Sequence, residues 1–340
     1  MFFTLCLFFA SGSDAYKVTV NPLDFQVEAE RETHVSGIVQ LESNGDHLFV
    51  LCKDEPAVIE IDRDGNFIRK FGKKGDGPGE LGFHQGFAMA VNGPGVWFLR
   101  NDLTFLNYFE HGDHRAGFRP KSYQFKLSSS VAKRFAFDNK HVLLQAHPST
   151  GRLAYVYDYG GNLIKKVGKT FRVDKAFLAV NPALFTTLWD KDDDHWYCLF
   201  AYRPILHKYN KNFEKVAEIF IEGPEVHAFE KRFAENEKDP NFTYPKPHFR
   251  DFAVFGDHVY LISDGTFYQI DKQTGETLSR TIFFGNPSFI DPEIHGKKLW
   301  FKDFAFLNDG TLFLSNSLHF GHDLWVAKLP YLKKLKPETE

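Results

Sequence analysis

The stretch FGKKGDGPGEL, Phe71 to Leu81, holds four glycines and a proline in eleven residues. Two readings compete: a loop that cradles phosphate, or a corner between structural units. A phosphate loop needs G-x-x-x-x-G-K-[ST] between a strand and a helix, so that backbone amides and a helix N-terminus face the anion. Gly72 and Gly77 have that spacing, but Pro78 and Gly79 stand where Lys and Ser/Thr are required, and no helical pattern follows. Gly75 and Gly77 also fail as a dinucleotide fingerprint, because Glu80 replaces the third glycine. A corner is the better reading, since glycine reaches the positive φ that tight crossings need.

The flanks agree. Upstream, VIEIDRDGNFIRKFG (58–72) is two alternating apolar runs around an Asp-x-x-Gly turn, which is hairpin chemistry. Similar hairpins occur at YVYDYGGNLIKKVG (155–168), LHKYNKNFEKVAEI (206–219) and FYQIDKQTGETLSRTI (267–282). A second marker, a turn followed by an apolar run, appears at 45–51 (GDHLFVL), 93–99 (GPGVWFL), 139–145 (NKHVLLQ), 193–199 (DDHWYCL), 256–262 (GDHVYLI) and 309–315 (DGTLFLS). Successive copies start 48, 46, 54, 63 and 53 residues apart. An apolar strand precedes each copy, as in GIVQL, GFAMAV, RFAF, TTLW, DFAVF and DFAFL. Six units of four strands predict an all-β fold, a six-bladed β-propeller with four-stranded antiparallel blades. The last unit lacks a fourth strand, so YKVTV (16–20) or FQVEA (25–29) is expected to supply it and close the ring.

The run from Asp62 to Val91, IDRDGNFIRKFGKKGDGPGEL followed by GFAMAV, resembles the NHL-repeat and TolB-like six-bladed propellers. Their hairpins lead into the next blade through a similar Phe-Gly-x-x-Gly bridge. The resemblance implies a fold and is nearly silent about activity.

Composition sets further bounds. Aromatics make up 16% of the 340 residues, with 38 Phe and 13 Tyr, which favours strands. A net charge of −3 without a basic stripe gives no footprint for nucleic acid. The N-terminal MFFTLCLFFASGSDAY carries an apolar run too short to span a bilayer and fits a secretory signal over residues 1–15, truncated for want of a leading Lys or Arg. Residues 16–330 would form the propeller and 331–340 a basic tail. Localisation is therefore expected to be periplasmic or secreted, and the chain a monomer. Cys52 and Cys198, in apolar runs, read as buried thiols.

Segment 223–249 breaks the rhythm. Pro224 and Glu225 suit a first helical turn, and Val226, Phe229 and Phe233 share one helical face, so a helical insertion is expected there.

Candidate sites follow from the frame. His47, His141, His195 and His258 occupy one slot just after a turn and are read as turn-shoulder residues rather than ligands. The acidic run WDKDDDHW (189–196) occupies the same hairpin slot and lacks the Gly and Glu of a calcium loop, so it reads as a solvated turn. The positions just before the innermost strands face the channel mouth. Gln85, Lys133 with Arg134, Arg250 with Asp251, and Lys302 with Asp303 are the ligand-binding candidates there. Gln85, Lys133, Arg250 and Lys302 share one register two residues before a repeated Phe. Cations converging on one axis require either pairing with Asp251 and Asp303 or an anionic partner.

The leading expectation is an exported, non-enzymatic propeller, with no catalytic residue and no cofactor. It would bind a protein partner or a small polar or anionic ligand at the channel mouth. The alternative is a metal-dependent lyase or hydrolase. It would hold a divalent metal on His34, His84 and His248, since three histidines with an open position make a plausible catalytic zinc set. Some propellers resembling NHL repeats, the peptidyl-hydroxyglycine lyases, hold zinc with histidines at the channel mouth.

Overall fold

The structure, a computed structural model, describes residues 15–23, 37–52, 56–75, 77–82, 88–100, 105–120, 135–146, 150–170, 185–236, 248–263, 265–285, 298–316 and 324–329. Within these the chain is built from antiparallel four-stranded meanders. β1 (Tyr16–Pro22) precedes them. The first meander is β2 (Ile38–Ser43), β3 (Leu48–Cys52), β4 (Ala57–Ile61) and β5 (Phe67–Phe71). The second is β6 (Ala88–Asn92), β7 (Gly95–Leu99), β8 (Leu106–Glu110) and β9 (Asp113–Phe118). The third is β10 (Phe135–Phe137), β11 (His141–Gln145), β12 (Ala154–Asp158) and β13 (Leu163–Val167). The fourth is β14 (Thr187–Lys191), β15 (His195–Phe200), β16 (Ile205–Asn210) and β17 (Lys215–Phe220). Each is a separate sheet in sequence order.

The remaining strands differ from the expected pair of independent blades. β18 (Phe249–Phe255), β19 (His258–Ser263), β20 (Thr266–Asp271) and β21 (Thr277–Gly285) join β22 (Phe301–Phe306), β23 (Thr311–Asn316) and β24 (Leu324–Lys328) in one eight-stranded sheet. β1 is the link. Tyr16–Val20 runs parallel to Thr281–Gly285, and Asn21–Pro22 then pairs antiparallel with Trp325–Val326. Of the two segments weighed for the closing strand, YKVTV is thus in place, although most of its ladder is with β21 rather than β24.

Two features explain why these residues fold this way. Many of the hairpins are set by a carboxylate or amide that captures backbone amides two to four residues on. Asn44, Asp138 and Asp192 each bind the amide of the histidine three residues later. Asp62, Asp158, Asn210 and Asp271 do the equivalent in the second hairpins. Between the hairpins, the buried side chains sort into six apolar clusters, each shared by two neighbouring units. One of them joins the last unit to the first, through Leu324, Phe313 and Ala305 against Ile38, Val50 and Ile59. Trp97, Trp189 and Trp325 are among the largest fully buried side chains; truncating such a residue costs about 3–5 kcal/mol. The first strands lie side by side in a cycle, β2 beside β6, then β10, β14, β18, β22 and back to β2. The arrangement is propeller-like.

The helical insertion is present as α1 (Pro224–Asn236). Val226 is buried in the cluster shared by the β14–β17 and β18–β21 units. Glu225 in the first turn receives hydrogen bonds from the Tyr268 hydroxyl and the Arg280 guanidinium. The side chain of Phe233 lies outside the described residues. Cys52 and Cys198 are free and buried, as expected.

Candidate functional site: the innermost strands

Each first strand has a ladder partner on one side only. Amides on its other edge are buried against the neighbouring units and need acceptors. Side chains of the preceding unit supply them. Asp251 Oδ2 accepts from the Phe304 amide at 3.1 Å, and Asp303 Oδ2 accepts from the Leu41 amide. Gln40 accepts from the Met89 amide at 2.8 Å and donates to the Met89 carbonyl at 2.7 Å. Asp190 accepts from the Val254 amide at 2.8 Å. All four contacts run the same way round the ring, and Asp303 onto Leu41 ties the last unit to the first.

Three of these residues are equivalent by register. Gln40, Asp251 and Asp303 face Leu51, Ile262 and Ser315 on their second strands, and each follows a β-bulge. The extra residues in the bulges are Val39, Arg250 and Lys302. A bulge breaks the strict alternation of side chains and re-aims the residue it contains. This is what separates Arg250 and Lys302, both half-buried, from the fully buried acids beside them.

Both acids bind backbone amides. Asp251 Oδ1 takes the Phe252 amide at 2.8 Å, and Asp303 Oδ1 takes the Phe304 amide at 3.0 Å. The Lys302 ammonium donates to the Ile38 carbonyl of the adjoining strand. Among the described residues Arg250 makes no ion pair. Burial pushes the Asp303 carboxyl well above the usual range, and the adjacent Asp251 carboxyl and then Glu42 push it further.

The register shifts one assignment. In β6 the residue equivalent to Leu41, Phe252 and Phe304 is Met89, opposite Phe98, so the frame anchored on Phe87 runs two residues early. Gln85 itself lies outside the described residues, with Lys133, Arg134, His34 and His84.

His248 packs beneath the helical insertion. It is 4% exposed, its ring stacks on Phe229 of α1 at 4.1 Å, and the Ser263 hydroxyl lies 3.1 Å from Nδ1. Its amide bonds the Ala201 carbonyl at 2.8 Å. The insertion thus covers His248, a contact that the i, i+3 spacing of Val226 and Phe229 foreshadows without naming the partner. Among the described residues no cluster of three or more metal-ligating side chains occurs. The four turn-shoulder histidines are half-buried on separate units. His47 pairs with Glu60 at 2.7 Å and His141 with Asp138 at 3.2 Å. Asp192, from the acidic run, serves its own turn and accepts from the Tyr197 hydroxyl at 2.9 Å.

The glycine loop supplies its own anion. Glu80 folds back so that Oε2 accepts from the Gly77 amide at 2.7 Å, and Oε1 meets Lys73 at 3.2 Å. A Cβ on Gly75 would fall 2.0 Å from Glu80 Oε2. Asn107 of β8 fastens the loop, accepting from Gly79 and donating to the Glu80 carbonyl. The place where a phosphate would sit is filled by a carboxylate.

Sequence reasoning missed Gln40 and Asp190 as inter-unit ties. The Asp-Phe-Ala repeat at 251–253 and 303–305 advertises the acids, but GIVQL shares no letters with it, and Asp190 was absorbed into the acidic run.

No family model and no curated protein matches the chain. Solved structures do. A member of the duf4221 family from Bacteroides vulgatus is 12% identical over 92% of this chain and 96% of its own, with a TM-score of 0.55. A Bacteroides fragilis protein described as exported is 10% identical, with coverage of 92% and 97% and a TM-score of 0.54. A catalytically inactive variant of virginiamycin B lyase from Staphylococcus aureus, solved with quinupristin, is 9% identical, with coverage of 88% and 97% and a TM-score of 0.50. At these identities the likeness concerns architecture alone, and with the cycle of first strands it makes the chain a β-propeller-type protein.

Proposed function

We propose that the chain is an exported six-bladed propeller of the NHL-repeat or TolB-like kind, closed by its N-terminal strand. It binds a protein partner or a small polar or anionic ligand at the channel mouth, and it is not an enzyme. The cycle of six first strands and the six inter-unit clusters support the blade count. β1 counts as the fourth strand of the last blade, shared with its neighbour.

One observation carries the binding reading. Adjacent units present Arg250 and Lys302 from equivalent bulges, while the acids beside them spend their oxygens on backbone amides. Positive charge placed at these bulges favours the approach of an outside anion. Gln85, Lys133, Arg134, Asp251 and Asp303 belong to the same proposed mouth. The enclosure of His248 under Phe229 weighs against the metal-dependent alternative with His34 and His84. Metal analysis of purified protein tests that alternative directly; a stoichiometric divalent metal would favour it.

The test of binding is a thermal-shift and titration panel of phosphate, citrate and an acidic peptide, on the native chain and on Arg250→Ala with Lys302→Ala. At least one anion should stabilise the native chain, and the double variant should lose that response while remaining folded. A panel with no response, or one indifferent to both changes, refutes the site.

A further inference from the structure

At the seam between the last two units and the first, two carboxyl groups converge on one donor. Asp251 Oδ2 and Asp303 Oδ1 lie 3.1 Å and 3.0 Å from the same Phe304 nitrogen. Asp251 Oδ1 also takes the Phe252 amide and Asp303 Oδ2 the Leu41 amide, but the two oxygens that converge here share a donor with one hydrogen. Both side chains are buried, at 0% and 1% exposure, which removes water as a substitute. Two carboxylates this close in a dry site cannot both ionise without a large cost.

We propose that Asp251 and Asp303 share a single proton at the closing seam, which makes the ring a proton-loaded structure that weakens as the medium turns alkaline. The surroundings are consistent with one negative charge rather than two. Glu42 of β2 adds negative charge near the pair and is itself hydrogen-bonded by Gln40 at 2.7 Å. Lys302 of β22 donates to the Ile38 carbonyl, and Arg250 of β18 sits in its own bulge. Asp190 of β14 is turned to Val254. Burial first, and then the neighbouring Asp251 carboxyl, push the Asp303 carboxyl well above the usual range.

The direction of the effect follows. The folded pair grips a proton that the unfolded chain gives up near the ordinary aspartate value of 3.8. Its contribution to stability is therefore complete below that value and shrinks as pH rises, until the folded pair itself ionises. Over that window the folded-to-unfolded ratio falls by up to about tenfold per pH unit for one proton.

The proposal is tested by denaturant unfolding of the full chain between about pH 5 and about pH 9, beside Asp303→Asn and Asp251→Asn. Asn stays neutral at every pH and cannot reproduce every backbone contact, so the readout is the pH slope rather than absolute stability. The native chain should lose stability with rising pH more steeply than either variant, with the difference approaching about tenfold per unit. Parallel profiles in all three proteins overturn the proposal. If neither variant folds, 13C NMR of aspartate-labelled native protein decides: one carboxyl carbon should still report a protonated acid at neutral pH. A spectrum in which every aspartate is ionised at neutral pH overturns it.

Discussion

Replacing Gln40 by Leu isolates the worth of one inter-unit tie. Leucine keeps the volume of a side chain that is 1% exposed, so little cavity forms. What is lost is the two-way bond to the Met89 amide and carbonyl, at 2.8 Å and 2.7 Å, with Met89 itself fully buried, together with the hydrogen bond to Glu42. A buried backbone group left without a partner costs about 1–3 kcal/mol. Two such groups, less the gain from burying leucine's carbons, give an expected loss of about 2–4 kcal/mol. Against a typical total of about 5–15 kcal/mol this is large. Equilibrium unfolding followed by tryptophan fluorescence reads the loss, and an unchanged denaturant slope checks that only stability moved. Hydrogen exchange at the Met89 amide reads the tie itself, which should open faster than its neighbours. A loss below about 0.5 kcal/mol with Met89 still protected would refute the reasoning. It would mean that apolar packing alone holds these units together.

Other perturbations reach different parts of the molecule. Gly75→Ala sets a Cβ against the Glu80 carboxylate at a backbone φ of +149°, and should cost about 1–3 kcal/mol. On a Glu80→Ala background the cost should shrink, and additive losses in a double-mutant cycle would show that the two residues do not act together. Arg280→Ala removes one of the groups binding Glu225. Burial alone would raise that carboxyl, but the Tyr268 and Arg280 hydrogen bonds outweigh it and keep it below the usual 4.5. Glu225 therefore stabilises the fold above that value and the contribution is lost as pH falls through the folded value. The variant should be less stable at neutral pH and lose less on acidification, as measured by unfolding at several pH values; identical acid profiles would refute the link.

The repeat was legible because hairpin chemistry leaves fixed letters. Asp62, Asp158 and Asp271 begin second hairpins, and His47, His141, His195 and His258 follow the first ones. The helix could be read from Pro224, Glu225, Val226 and Phe229, whose types and spacing reflect local rules. The axial ties could not, because they depend on which amides the ladder leaves unused, and that depends on bulges placed by three-dimensional twist. Gln40 and Asp303 do the same job with different letters, so no pattern search unites them. Read in the same way, Asp251 and Asp303 suggested partners for cations, because sequence shows charges but not the backbone amides that compete for them. The packing of His248 was hidden for a related reason: its neighbours Phe229 and Ser263 are distant along the chain.

The closing strand has a consequence in time. β1 leaves the ribosome well before its partners β21 and β24. The ring can therefore be completed only once β24 has been made, and such long-range pairing is slow to form. Until then β1 is a strand without a sheet, and the β18–β21 and β22–β24 edges are open to any matching segment. A second molecule's β1 fits those edges as well as the molecule's own, so strand exchange between incomplete copies is the characteristic hazard of this architecture. A chain delivered singly and unfolded to its final compartment meets that hazard least.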